Sequence, residues 1–117
     1  MLCTTSSTSA LVDPLALSRL VQDDYFNISL CNVNDHEVRM SVMTEQFRWH
    51  LHPASDETFY GVDGELVVEF EDHEVVVGRG QFVVVPAGVL HRTRPAGSRS
   101  VNLTFERRDA ETIFSER

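Results

Sequence analysis

Short runs of β-branched and aromatic residues, each cut off by a turn signal, follow one another from Tyr25 to Phe105. Tyr25 to Val33 and Val38 to Val42 flank Asn34-Asp35, and Glu57 to Val62 and Glu65 to Phe70 flank Asp63-Gly64. Val75 to Val77 ends at Gly78-Arg79-Gly80, and Phe82 to Val85 runs into Pro86-Ala87-Gly88. The runs are too short to span a membrane, and where they alternate the period is two, that of a strand. About eight to ten such strands with regular turns predict an all-β, closed antiparallel architecture, a barrel or jelly roll, because closure removes the exposed edges. Asp63-Gly64 reads as a two-residue hairpin that wants positive φ. The unbroken apolar run Phe82 to Val85 fits a strand covered on both faces.

One domain accounts for 117 residues. Its expected parts are a Ser/Thr-rich flexible tail over residues 1–12, a barrel over 13–106 and a charged tail over 107–117. Asp13-Pro14 is a helix start, and Leu15, Leu17, Leu20 and Val21 give a short helix one apolar side, ending near Asp23-Asp24. The net charge is −8 and all ten basic residues are arginine. A nucleic-acid partner is therefore disfavoured, and Schiff-base chemistry on lysine is excluded. No apolar stretch reaches the length of a membrane span, and the first ten residues lack the basic and apolar regions of a signal peptide. Cys3 and Cys31 have no metal or redox spacing and suit a reducing compartment, so the expected location is the cytoplasm.

The segment Gln46 to His52 has its polarity inverted for a surface strand. Phe47, Trp49 and Leu51 share one parity; Gln46, Arg48, His50 and His52 share the other. Glu57 follows a tight Pro53-Ala54-Ser55-Asp56 loop, and His91 follows the Pro86-Ala87-Gly88 turn. Taken alone, His50 and His52 read first as two solvent-facing histidines on a strand. With Glu57 and His91 brought alongside, three imidazoles and a carboxylate would make a metal site.

The spacing of these residues resembles the two motifs of the cupin superfamily. His50-x-His52, four residues, Glu57, six residues and Gly64 match the first; Gly80, five residues, Pro86-x-Gly88, two residues and His91 match the second. The chain departs from the pattern at Thr44 and Pro95, where the family has glycine and asparagine, neither of them a ligand. The resemblance, of the small single-domain and mannose-6-phosphate isomerase-like type, implies an antiparallel double-stranded β-helix. It also implies that His50, His52, Glu57 and His91 ligate one divalent metal ion, with iron, manganese, zinc and nickel all compatible.

The function then expected is a metal-dependent enzyme for a small anionic molecule, with isomerase-, epimerase- or lyase-type chemistry at an open metal position. An Fe(II)-dependent dioxygenase and a non-catalytic metal- or ligand-binding module are the alternatives. Arg48 shares the parity of the histidines, so its guanidinium either anchors the substrate's anionic group or reaches solvent at the barrel mouth; Gln46 and Thr93 are weaker candidates for the pocket wall, and Phe59 is expected to line it as packing. Arg92, Arg94 and Arg99 read as a solvated face. An outward apolar side formed by Phe47, Trp49 and Leu51 suggests a homodimer, unless the N-terminal segment covers it.

Overall fold

A computed structural model describes residues 9–116. Cys3 and most of the expected N-terminal tail lie outside the described residues. The chain begins with α1 (Pro14–Ser18), continues through β1 (Tyr25–Val33), β2 (His36–Met43), β3 (His50–Leu51), β4 (Glu57–Asp63), β5 (Leu66–Glu69) and β6 (Glu74–Val77), and closes with β7 (Phe82–Val85), β8 (Arg92–Pro95), β9 (Ser100–Arg107) and β10 (Ile113–Phe114). The larger sheet has the order β1-β2-β9-β4-β7, a smaller one β6-β5-β8, and β10 pairs with β3; every paired strand runs antiparallel. This is the expected jelly roll, the double-stranded β-helix. Among the described residues, no helix is long and apolar enough to cross a membrane.

Between the sheets, Met43 and Phe59 from the larger one meet Leu66, Val68 and Val77 from the smaller one, with Val85 beside them. The outer face of the larger sheet carries a second core, in which Met40, Val42 and Val101 are covered by Val12, Leu17 and Val21 of the N-terminal segment and helix. Asp13 caps that helix by accepting from the Ala16 amide at 3.1 Å, with Pro14 at the first position. The helix stops at Ser18, one turn short of the expected end. Arg99 donates to the Ser18 carbonyl at 2.6 Å and so satisfies a terminal acceptor, rather than belonging to a solvated face.

Turn chemistry is legible in part. Asn34, at φ 55°, and Asp35 form the two-residue link between Val33 and His36. Asp63-Gly64 is not a hairpin: β4 belongs to the larger sheet and β5 to the smaller, so this turn carries the chain across the core. The return crossing at Gly78-Arg79-Gly80 lies against Gly61, where a Cβ would collide with the Gly78 carbonyl oxygen. Phe82 to Val85 is not covered on both faces either. The strand is an edge of the larger sheet, so Phe82 and Val84 stay exposed and only Val85 is buried.

Candidate metal centre

His50, His52, Glu57 and His91 come together as the sequence implies. All four are buried, and their ligand atoms lie within 4.8 Å of one another. The segment containing the two histidines runs antiparallel to the one containing His91. His50 and His91 exchange both backbone hydrogen bonds at 2.9 Å, Phe47 donates to Thr93 at 2.8 Å, and Gly88 donates to His52 at 2.8 Å. Glu57 opens β4, where it pairs with Val85. Its approach is fixed by Asp56, whose carboxylate accepts from the Ala87 amide at 2.8 Å and ties the 53–56 loop to the proline turn.

Each imidazole is oriented through Nδ1 by a backbone carbonyl. His50 Nδ1 lies 2.7 Å from the Arg48 oxygen, His52 Nδ1 2.9 Å from the Glu111 oxygen, and His91 Nδ1 2.9 Å from the Val89 oxygen. A carbonyl only accepts, so Nδ1 carries the hydrogen in all three rings and Nε2 is left to ligate. Nε2 of His52 and of His91 approach Glu57 Oε1 at 3.0 and 3.2 Å. The donor set fits a divalent ion, since neutral imidazoles and an ionised carboxylate are the forms that bind.

Burial pushes the His50 imidazole down to about 4, against the Arg48 carbonyl, so it is neutral near pH 7. The hydrogen bond to Glu57 pulls His52 the other way, up to about 9, and outweighs burial. Burial raises the Glu57 carboxyl, but hydrogen bonds from His52 and His91 overcome it and leave the group well below its ordinary value. Without an ion, a proton on His52 balances Glu57; an ion entering the site would displace it.

The centre opens into a cavity of about 280 Å³ between the sheets. The wall includes Phe47, Phe59 and Thr93, and along the larger sheet Asn27, Glu37, Arg39, Ser41, Asn102, Thr104 and Glu106. Burial and a hydrogen bond shared with Glu57 push the Glu106 carboxyl up to about 8, which keeps a proton inside the cavity at neutral pH. Residues 107–117 were expected to be a tail, yet Arg108, Ala110, Thr112 and Phe114 close one side of this cavity. Ile113 and Phe114 pair with Leu51 and His50, and Ser115 donates to the Trp49 carbonyl at 3.0 Å.

Arg48 is elsewhere. It is exposed and absent from the cavity wall, with its guanidinium 4.1 Å over the Phe114 ring. The paired strand here is only His50–Leu51, so the alternation does not carry back to Arg48. The same failure puts Phe47 inside, stacked on Tyr25 at 5.3 Å and packed against the core. The Arg92 guanidinium lies 4.7 Å over the Trp49 ring, and Leu51, half-buried, pairs with Ile113 in the β3–β10 register. Phe47 thus leaves the expected Phe47/Trp49/Leu51 patch, while Trp49 and Leu51 are only half-buried. Gln46 is exposed as well. The residues that sequence reasoning missed are Arg39, Asn102, Thr104 and Glu106, although each has the parity opposite to the apolar residues of its strand.

Comparison with known proteins agrees with this arrangement. A family model described as a cupin domain matches residues 34–105. The Bacillus subtilis (strain 168) protein YdbB is 40% identical over 109 residues, covering 92% of this chain and 96% of that protein. A cupin-2 domain containing protein from Shewanella frigidimarina superposes with a TM-score of 0.77 at 22% identity, covering 84% of this chain and 95% of the other. The acireductone dioxygenase of Rhodopseudomonas palustris (strain TIE-1) is 36% identical over 72 residues, which are 58% of this chain and 43% of that enzyme.

Proposed function

Since the chain belongs to the cupin family, we propose that it is a metal-dependent enzyme acting on a small anionic molecule, with His50, His52, Glu57 and His91 holding one divalent ion. The observation that carries this reading is the set of three Nδ1-to-carbonyl bonds, which leave three Nε2 atoms and one carboxylate for a single ion. Such an ion would polarise a carbonyl or hydroxyl oxygen of the substrate, as isomerase, epimerase and lyase chemistry requires. The chain supplies the surroundings: Phe47 and Phe59 exclude water on one side, and Glu106 holds a proton beside Glu57.

The second reading is an iron-dependent dioxygenase, supported by the stretch similar to acireductone dioxygenase. A non-catalytic binding module would use the same four ligands. Metal analysis after purification without added metal, followed by oxygen uptake with small hydroxy and oxo acids, separates them. Turnover without oxygen uptake supports the first reading, iron with oxygen uptake the second, and metal without turnover of any acid the third. Absence of metal, with no stabilisation on adding iron, manganese, zinc or nickel, refutes all metal-dependent readings.

The cytoplasm remains the proposed compartment, on cysteine usage. A homodimer also remains proposed, now through Phe82, Val84 and Phe105, which are exposed on the outer face of the larger sheet. Light scattering giving the mass of a single chain at micromolar concentration refutes it.

A further inference from the structure

Strand β9 sends Asn102 and Thr104 into the cavity with nothing to bond. Both residues line it, they are 1% and 3% exposed, and neither the Asn102 amide atoms nor the Thr104 hydroxyl has a hydrogen-bond partner among the described residues. Buried polar side chains are nearly always paired, because an unmet group forfeits its water bonds without return. Two adjacent exceptions facing one cavity call for an explanation.

The neighbouring strand supplies one. The β2–β9 register sets Arg39 opposite Thr104 and Ser41 opposite Asn102, close enough for the side chains to act on one bound molecule. Arg39 is braced in the wall: its Nε donates to Asn27 Oδ1 at 2.6 Å and its Nη1 to Glu37 Oε1 at 3.2 Å. Asn27 in turn donates to the Ser41 hydroxyl at 2.8 Å. These bonds use two of the five guanidinium N–H groups and fix the plane of the fork, leaving donors suited to a carboxylate. Glu37 is engaged by Arg39, so it repels an anion less than a free carboxylate would.

We infer that Arg39, Asn102 and Thr104 form a substrate subsite for a small hydroxy or oxo carboxylate, whose carboxylate binds Arg39 and whose oxygen substituent bonds Asn102 and Thr104. This deepens the metal-dependent reading and rests on it for the position of the reacting end, but the subsite itself contains no metal ligand. The volume of about 280 Å³ is at the low end for ligand pockets and limits the molecule to a few carbons. Arg39 takes over the part that sequence parity had assigned to Arg48.

Calorimetric titration with malate, oxaloacetate and uncharged four-carbon erythritol tests this, on protein loaded with manganese and on protein stripped with chelator. The parent should bind at least one acid at least tenfold more tightly than erythritol. Arg39→Lys should weaken that binding at least tenfold, because the charge stays and the fork is lost. Thr104→Val and Asn102→Leu should each weaken it at least fivefold. Both should leave the ligand-free melting temperature unchanged or raised, since they remove groups with no bond to lose. That combination distinguishes a binding role from a structural one.

All three variants should retain the parent's manganese. If the three titrate like the parent, or if the acids bind no better than erythritol, the subsite is refuted while the metal centre stands. A drop of several degrees in the ligand-free melting temperature of Thr104→Val shows that its hydroxyl is bonded within the fold, and also refutes it. Failure of the parent to take up any divalent ion refutes the metal-dependent reading instead, and the titrations on stripped protein then decide the subsite alone.

Discussion

Glu57→Gln removes the one anionic ligand while keeping the size of the side chain. Glu57 is 6% exposed and its Oε1 faces both His52 and His91, so the three remaining ligands are neutral imidazoles around a doubly charged ion. Loss of groups that merely support a ligand costs about 10–100-fold in metal affinity, so loss of this ligand should cost at least about 100-fold. At a free ion concentration of about 100 times the parent's Kd, binding stabilises the parent by about 2.7 kcal/mol; at that concentration the variant is only near its own Kd and gains about 0.4 kcal/mol. With an unfolding entropy of about 2.1 cal/mol/K per residue, each kcal/mol moves the melting temperature by about 4 °C in a chain of this length. Manganese or zinc should therefore raise the parent's melting temperature by about 11 °C and the variant's by about 2 °C. The comparison is made within each protein, with and without chelator at pH 8, because the variant also loses the partner of His52. Equal metal-induced shifts in parent and Glu57→Gln would remove the carboxylate from the ligand set.

Arg48→Ala should keep the full metal-induced shift and leave carboxylate binding within twofold of the parent, since the guanidinium lies on Phe114 outside the cavity; a tenfold loss in calorimetry would restore it as the anchor. Metal-free protein should lose stability relative to His50→Asn as the pH falls from 6.5 toward 4, while Glu106, held up to about 8, works in the opposite direction in both proteins. His50, pushed down to about 4 by burial, must be protonated there, and the shift is worth about 3 kcal/mol. Urea titrations of both proteins across that range should show the parent's stability falling relative to that of His50→Asn; parallel curves would refute the shift. On the alkaline side, His52 contributes stability below 6.5 that disappears as the pH rises through about 9. Bound metal should abolish that limb in the same titrations. Leu66→Ala should cost about 2–5 kcal/mol by urea unfolding, because the side chain is buried between the two sheets.

Much of the fold and the convergence of His50, His52, Glu57 and His91 was legible because turn residues and motif spacing are local. Asn34-Asp35 joins adjacent strands and Asp13-Pro14 starts the helix, so the sequence pattern and the outcome concern the same few residues. Asp63-Gly64 misled for a global reason: a glycine at positive φ serves equally well in a hairpin and in a crossing between sheets. The valines of Phe82 to Val85 misled because a strand's apolar content does not reveal whether it is an edge.

The cavity wall along the larger sheet also lies in the alternation, on the polar parity of its strands. Asn102 and Thr104 alternate with Val101, Leu103 and Phe105, and Arg39 and Ser41 alternate with Val38, Met40 and Val42. In a filled sandwich the apolar parity faces inward. Here the polar parity does, because the larger sheet has a second apolar layer outside it, under α1. Sequence parity gives two faces for a strand without saying which is the interior. At Arg48 it failed earlier, since the extended strand does not reach that residue.

The carbonyl of Glu111 holds His52 at Nδ1, and Thr112 and Phe114 wall the cavity that the ligands face. Three of the four ligands belong to the first half of the domain, yet the tautomer of one is set by nearly the last described stretch. During synthesis, which delivers the N-terminal part first, His50, His52 and Glu57 emerge long before the residue that orients His52. On the proposed metal-binding reading, the nascent chain would have an incomplete chelator until residue 111 has been made, and selection among ions would fall to the finished fold.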